Sequence, residues 1–175
     1  MGGAPGTEDD DLIARARALA LAAHGDQRYG QEPYRVHLEH VEEVVRRFPH
    51  SAAMRAAAWL HDAVEDTSLT LAAVAAAVGD EVAAIVAAVT DELGATRAER
   101  KPRTLAKLSQ ASPEARAVKL ADRIANLEAA QSSGRADLLA MYRGEHGALR
   151  QALQREGESV GQWALVDELI GALED

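Results

Sequence analysis

The chain has 175 residues, of which 47% are hydrophobic but only 3% aromatic, so it can bury one core filled mainly by Ala, Leu and Val. Its formal net charge of −9 argues against nucleic acid as the main partner, and the absence of cysteine excludes disulfides, thiolate metal sites and a cysteine nucleophile. No apolar run approaches the roughly 20 residues that span a membrane, and no signal peptide is recognisable. We therefore expect a cytoplasmic protein that binds neither membranes nor nucleic acid.

Helical periodicity runs through nearly every long segment, and no strand is predicted. Helices are predicted at 12–23, 36–48, 52–64, 71–78, 80–89, 104–110, 113–130, 136–154 and 160–173. Loops are expected at 25–36 and 91–103, where Gly, Pro and charged residues interrupt the pattern. The sequence thus predicts an all-α, compact bundle of about seven to nine helices. Residues 1–10 are interpreted as a flexible acidic leader and residues 11–175 as one domain.

The stretch WLHDAVEDT at 59–67 places a histidine and three carboxylates on an otherwise apolar helix. Burying ionised groups without partners costs several kcal/mol, so the segment is either a solvated acidic surface or lies against a positive charge. Histidine with carboxylate is a typical ligand set for Mn²⁺, Fe²⁺, Co²⁺ or Zn²⁺. Two lone polar residues on other apolar helices, His37 and Asp122, can complete the set with His61 and Asp62. These four are the candidate metal ligands.

Two further carboxylates, Glu65 and Asp66, follow His61–Asp62 by one helical turn. At that spacing they suit proton transfer to or from a reacting oxygen, and they are the candidate catalytic pair. An anionic substrate would also need cationic or amide groups nearby. Arg28 precedes His37, while Lys119 and Asn126 flank Asp122, so all three are candidate substrate contacts.

Three segments together resemble the HD superfamily of metal-dependent phosphohydrolases, and within it the RelA/SpoT-type hydrolase domains and single-domain small alarmone hydrolases. They are HGDQRYGQEPYRVH at 24–37, AWLHDAVEDT at 58–67 and SPEARAVKLADRIANL at 112–127. The resemblance implies a helical bundle that holds one Mn²⁺. It also implies hydrolysis of the 3′-diphosphate of ppGpp or pppGpp by a metal-activated water, with release of pyrophosphate.

Carried onto this chain, the resemblance assigns the same four metal ligands and makes Glu65 and Asp66 the catalytic acids or bases. It also matches Arg28, Asn126 and Tyr142 to substrate-contacting positions. The chain departs from the family on the substrate side: Tyr29 stands where many relatives have a second basic residue, and Leu38 where proline is frequent. These departures bear on base and phosphate specificity and leave the metal set untouched.

Several alternatives remain open at the level of sequence. The same site could act on another nucleotide, such as a nucleoside monophosphate or the 2′-phosphate of NADPH, because the substrate pocket is built from loops. A non-catalytic nucleotide sensor is a second alternative. His40 competes with His37 as a ligand, His24 could line the pocket, and the basic run at 97–103 is either a solvated loop or a phosphate contact. The expected partner is a small nucleotide, and the sequence is compatible with a homo-oligomer without predicting one.

Overall fold

The computed structural model describes residues 5–94 and 96–171, and it is helical almost throughout. Within these residues nine helices of eight residues or more are joined by one four-residue helical turn, α4, and by a short hairpin. The helices are α1 Pro5–His24, α2 Tyr34–Arg46, α3 Ala52–Leu60, α4 Ala63–Asp66, α5 Leu71–Val78, α6 Asp80–Val89, α7 Arg97–Ser109, α8 Pro113–Ser132, α9 Ala136–Leu153 and α10 Val160–Gly171. The predicted all-α class is confirmed.

Several helices begin at an N-cap side chain that can be recognised in the sequence. The hydroxyls of Ser51, Thr70 and Ser112 each accept a hydrogen bond from a backbone N–H three residues later, at the starts of α3, α5 and α8. Such caps satisfy N–H groups that have no partner within the helix and stabilise it by about 1 kcal/mol. Gly79, with φ of 93°, joins α5 to α6 in a backbone conformation that favours glycine.

Two helix predictions are wrong in ways that matter for the site. The helix predicted at 52–64 ends at Leu60, and a new turn begins at Ala63, so His61 and Asp62 lie at a break in the helix. The predicted loop at 91–103 is helical from Arg97, where the side chains of Thr96 and Glu99 form a reciprocal capping box with the backbone. That box favours a helix start despite Pro102, which lacks a backbone N–H donor.

Two smaller differences concern the first 36 residues. A two-stranded antiparallel hairpin, β1 Arg28–Tyr29 and β2 Glu32–Pro33, forms in the predicted loop, although no strand was predicted. Helix α1 begins at Pro5, inside the segment interpreted as an acidic leader; residues 1–4 lie outside the described residues. At the other end, residues 172–173 of the last predicted helix also lie outside them.

The core is built around α3, which packs against α1, α2, α6 and α8. Residues 56–60 of this helix are all buried, and three of them are alanines, which let neighbouring helices approach closely. Helix α8 is the second central element and contacts α2, α3, α6, α9 and α10. The polar end of α3 therefore meets α2 and α8 at one place. Across residues 5–94 and 96–171, no helix combines the length and apolarity needed to cross a lipid bilayer.

Candidate metal centre and active site

Three side chains from three separate helical elements converge at the end of α3. His37 comes from α2, His61 from the break after α3, and Asp122 from α8, and ligand atoms of all three lie within 4.8 Å of one another. Oδ1 of Asp122 is 3.5 Å from Nε2 of His37 and 3.7 Å from Nε2 of His61. Two imidazole nitrogens and a carboxylate oxygen at these separations could hold a divalent cation.

Asp62 brings a second carboxylate to the same point. Its Oδ2 atom lies 2.9 Å from Nε2 of His61 and 3.6 Å from Nε2 of His37. The hydroxyl of Tyr34 lies 2.7 Å from that same Oδ2 and donates to it, which fixes the orientation of the carboxylate. The structure therefore brings together all four side chains that the sequence analysis named as candidate ligands.

His61 presents a nitrogen lone pair that suits a metal ion. Its Nδ1 atom is 2.8 Å from the carbonyl oxygen of Ala58, which can only accept, so Nδ1 carries the proton and Nε2 carries the lone pair. Nε2 is buried and faces the carboxylates of Asp62 and Asp122, but it makes no hydrogen bond among the described residues, a costly state for a polar atom. Metal-binding histidines commonly have this arrangement, with the second ring nitrogen bonded to a backbone carbonyl. The residues present thus fit a divalent cation.

The charge balance of the four side chains also favours a cation. Burial would raise the pKa of Asp122, but Lys119 and the two imidazoles hold it well below its usual range, so the group is a carboxylate. Burial would lower the pKa of His61, but Asp62 and Asp122 raise it well above its usual value. The partly buried Asp62 and the buried Asp122 thus draw positive charge to the imidazoles, and a metal ion would supply that charge without protonating them.

Comparison with known proteins agrees with this geometry. The pattern of the HD domain family matches residues 14–143, well over half of the chain. The chain belongs to the HD domain family. Over 73 residues it is also 40% identical to a probable guanosine-3′,5′-bis(diphosphate) 3′-pyrophosphohydrolase of Synechocystis sp.. That match covers 41% of this chain and only 10% of the length of the cyanobacterial protein.

Two solved structures resemble this HD domain. One is a metazoan orthologue of SpoT that hydrolyses ppGpp and plays a role in starvation responses; the TM-score is 0.81 at 24% identity, with 98% of each chain covered. The other is the lmo0812 protein of Listeria monocytogenes EGD-e, with a TM-score of 0.63 at 27% identity over 80% of this chain and 97% of that one. The fold is therefore shared along nearly the whole described chain.

Glu65 and Asp66 of the HD domain lie beside the four candidate ligands, and each is held by a specific donor. Oε2 of Glu65 accepts a hydrogen bond of 2.9 Å from the backbone N–H of Asp91, at the end of α6. The single proton of the Tyr34 hydroxyl is shared between Oδ2 of Asp66, at 2.9 Å, and Oδ2 of Asp62, at 2.7 Å. Although Glu65 is solvent-exposed on one side, burial of its carboxylate raises its pKa. Glu65 can therefore hold a proton at a higher pH than an ordinary glutamate.

A cleft of about 720 Å³ opens beside Glu65 and Asp66, and the segment after α6 forms one of its walls. That segment is held to α7 mostly through its backbone, with one ion pair of 2.8 Å between the side chains of Glu92 and Lys107. Nζ of Lys107 donates to two backbone oxygens at the end of α6, and Thr104 accepts from the N–H of Glu92. Arg103 donates to the carbonyl of Leu93, and Arg100 to that of Gly94. The wall is thus fixed in place by a helix that the sequence analysis had interpreted mostly as a loop.

The candidate substrate contacts lie at different distances from this centre. Lys119 is 3.3 Å from Oδ2 of Asp122, and the side-chain amide of Asn126 donates a 2.6 Å hydrogen bond to Oδ1 of the same residue. Tyr142 is buried, with the Arg123 guanidinium 4.5 Å from its ring centre. Arg28 is exposed on the hairpin, where it donates to the carbonyl of Gln31 and makes no contact with the four ligands.

The remaining alternatives named from sequence have other partners in the structure. His40 lies 2.6 Å from Glu128, outside the group of candidate ligands, so His37 is the candidate ligand that α2 contributes. His24 stacks on Tyr34 with ring centres 4.4 Å apart, so it packs against the residue that hydrogen-bonds to Asp62. From the basic run, Arg97 and Lys101 form ion pairs with Glu145, which also binds Arg123. Three cations around one carboxylate leave this cluster with excess positive charge.

Sequence reasoning missed two residues that position the site. Tyr34 lies three residues before His37, hence on the same face of α2, and that spacing was a usable signal. Asp91 follows an apolar helix that carries no other polar group of the site, so nothing local in the sequence marks it. Its role depends on how α6 packs against α3 and α8, which only the folded chain specifies.

Proposed function

We propose that this HD domain is a Mn²⁺-dependent phosphohydrolase that removes the 3′-diphosphate of ppGpp or pppGpp and releases pyrophosphate, acting in the cytoplasm. The observation that carries the proposal is the convergence of two histidines and two aspartates beside a separate pair of carboxylates. The first set suits a catalytic metal ion and the second suits proton transfer. The ppGpp-related descriptions of the cyanobacterial and metazoan relatives support the choice of substrate.

His37, His61, Asp62 and Asp122 would hold the cation in this proposal. Mn²⁺ is favoured because mixed imidazole and carboxylate ligands suit it, although Fe²⁺, Co²⁺ and Zn²⁺ accept the same donors. The chemistry supplied there by a divalent cation is activation of water and neutralisation of charge on the attacked phosphoryl group. Proton transfer and substrate binding would be carried out by side chains of this protein.

In the proposed reaction, water oxygen bonds to the phosphorus next to the ribose, and the bond from that phosphorus to the ribose 3′ oxygen breaks. Asp66, whose second carboxylate oxygen is not engaged by Tyr34, takes the proton from the water. Glu65, with its raised pKa, gives a proton to the departing 3′ oxygen. The products are pyrophosphate and a guanosine 5′-diphosphate or 5′-triphosphate. The Asp91 N–H and the Tyr34 hydroxyl keep the two carboxylates in place.

Cationic groups beside the metal centre would neutralise the substrate phosphates. Lys119 lies between Asp122 and Asp91, at 3.3 Å and 3.9 Å, and would offset the charge of a phosphate held beside Asp122. Asn126 and Tyr142 lie on the adjoining side of the site, with Arg123 against the tyrosine ring. Arg28 is exposed and could reach a bound nucleotide from the hairpin. The cations among these residues belong to a chain whose overall charge is negative.

A nucleotide screen with Mn²⁺ tests the proposal against its rivals. Purified protein is incubated with ppGpp, GMP and NADPH, and pyrophosphate, orthophosphate and residual nucleotide are measured. We expect pyrophosphate and GDP from ppGpp, and no turnover by the Asp62→Asn variant, which keeps the shape of the side chain but not its charge. Orthophosphate from GMP or NADPH, with ppGpp left intact, would assign the site to another nucleotide. Binding of ppGpp without turnover at saturating Mn²⁺ would make the protein a sensor.

A further inference from the structure

Tyr29 covers one of the candidate metal ligands. It lies on β1 of the hairpin, opposite Glu32, and its ring stacks on the imidazole of His37 with ring centres 4.4 Å apart and planes 9° from parallel. The ring of Tyr34 meets Tyr29 edge-on at 5.9 Å. Tyr34 also meets the imidazole of His37 edge-on at 5.8 Å, and these two ring contacts restrict the plane in which Nε2 of His37 faces Asp62 and Asp122.

The hydroxyl of the same tyrosine reaches a second ligand through one intermediate. Tyr29 donates a hydrogen bond to Oδ1 of Asn126 on α8. The amide nitrogen of Asn126 in turn donates to Oδ1 of Asp122 at 2.6 Å. That oxygen is the atom that faces both imidazoles, at 3.5 Å and 3.7 Å. Tyr29 therefore fixes the orientation of the Asn126 side-chain amide. Because the tyrosine hydroxyl donates, the amide oxygen must face Tyr29 and the amide NH₂ group must face Asp122.

We infer that Tyr29 is a positioning residue of the metal centre, whose hydroxyl sets the affinity for the divalent cation by orienting Asp122 through Asn126 while its ring packs on His37. The inference rests on the proposed function only in taking these side chains as metal ligands, and it does not depend on which nucleotide is hydrolysed. Groups that orient metal ligands from outside commonly change metal affinity or activity by about 10- to 100-fold when they are removed. Nothing in the family resemblance assigns this role, since many relatives have a basic residue at the position.

The protonation of Tyr29 agrees with a donor role. Burial raises the pKa of its hydroxyl well above the ordinary tyrosine value, and the neighbouring Tyr142 and Asp122 raise it further. The hydroxyl therefore keeps its proton at neutral pH and can donate it to Asn126. A lysine at this position could donate as well, but it would have no flat ring to cover the imidazole of His37.

A double-mutant cycle on the metal-free protein tests the inference. Tyr29→Phe keeps the ring and removes only the hydroxyl, while Asn126→Ala removes the intermediate. The dissociation constant for Mn²⁺ is measured by isothermal titration calorimetry and by the electron paramagnetic resonance signal of free Mn²⁺. We expect about 10-fold weaker binding for Tyr29→Phe and 10- to 100-fold weaker binding for Asn126→Ala. The double variant should bind like Asn126→Ala alone, because the hydroxyl acts through that amide.

Glu32→Gln provides the matched control, since it alters an exposed side chain of the same hairpin and should leave Mn²⁺ affinity unchanged. The absorption spectrum of the Co²⁺-loaded protein should change in Tyr29→Phe, as the geometry of Asp122 shifts, while circular dichroism of the metal-free variant stays the same. Wild-type affinity in Tyr29→Phe, or losses that add in the double variant, would overturn the inference. Protein that binds Mn²⁺ in this Tyr29-dependent way yet leaves ppGpp intact would overturn the proposed substrate alone.

Discussion

Glu65 and Asp91 are joined by a hydrogen bond of 2.9 Å from the backbone N–H of Asp91 to Oε2 of Glu65. The bond connects the turn that follows the two candidate ligands His61 and Asp62 to the end of α6, an element 26 residues away in the chain. Because the donor is a backbone group, the position of the Glu65 carboxylate depends on the packing of α6 rather than on any one side chain. The raised pKa of Glu65 then suits this carboxyl group to donate a proton.

Glu65→Gln should therefore retain the metal and lose turnover. The amide can still accept the Asp91 hydrogen bond but cannot release a proton, so kcat should fall by roughly 10²–10⁴-fold. Steady-state kinetics with ppGpp and metal analysis of the same sample check both halves of the prediction. Glu43→Gln, which removes an exposed partner of Arg47, is the control and should keep wild-type kcat. Full activity in Glu65→Gln would show that its role is misassigned.

Asp122→Ala should lose both the metal and the activity. The substitution removes the carboxylate that faces both imidazoles and leaves Lys119 and Asn126 without their shared partner. Inductively coupled plasma mass spectrometry after dialysis should find no stoichiometric Mn²⁺ in this variant. Asp137→Ala, on the exposed start of α9, should keep the wild-type metal content. A metal-replete, active Asp122→Ala protein would contradict the ligand set.

Metal removal should destabilise the fold, because the candidate ligands come from elements far apart in the chain. At a free Mn²⁺ concentration 100 times the dissociation constant, binding stabilises the native state by about 2.7 kcal/mol. For a domain of this size that corresponds to a rise in Tm of roughly 5–10 °C. Differential scanning fluorimetry with Mn²⁺ and with a chelator measures the shift. The Asp122→Ala variant should show the same Tm under both conditions, and a shift of equal size there would point to binding elsewhere.

The loss of folding stability at low pH should depend on Glu145. Burial alone would raise its pKa, but hydrogen bonds from Arg97 and Arg123, with the charge of Lys101, lower it to about 2. Because the folded-state pKa lies below the unfolded-state value, the stabilisation is complete above about pH 4.5 and is lost as the pH falls towards 2.

Glu145→Gln should therefore cost about 1–2 kcal/mol at pH 7, a figure reduced to allow for screening by solvent. Urea unfolding of both proteins at pH 7 and pH 3 measures the difference, which should narrow at the lower pH. Glu43→Gln again serves as a control, since its exposed pair contributes little at either pH. A difference that does not change with pH would mean that packing, not charge, accounts for the loss.

The sequence predicted the helical class and most helix boundaries because these depend on local signals. Ser51, Thr70 and Ser112 cap their helices through bonds three residues away, and apolar spacing marks the buried faces. The break after Leu60 was missed because His61 and Asp62 continue the helical pattern of the sequence, and no local signal marks the end of the helix there. The start of α7 was missed because charged residues and Pro102 outweighed the capping box in the prediction.

The candidate metal ligands could be predicted from the sequence, but the residues that hold them in place could not. His37, His61, Asp62 and Asp122 stood out as polar residues on apolar helices, and the structure brings them together. Their supporting groups did not stand out, because a tyrosine in a short hairpin or an aspartate after a helix has many ordinary roles. Tyr29 was noted only as a departure from relatives, and its stack and hydrogen bond became visible through the folded geometry.

The cleft wall offers a route to redesigning substrate choice. Leu93 is 88% exposed on that wall. Arg103 donates a hydrogen bond to the carbonyl oxygen of Leu93, and Arg100 donates one to that of Gly94. The side chain at this position can therefore be exchanged while its backbone, and the nearby carboxylate of Glu65, stay where they are. A saturation library at Leu93 would alter the shape and polarity presented to an incoming nucleotide and leave the catalytic machinery untouched.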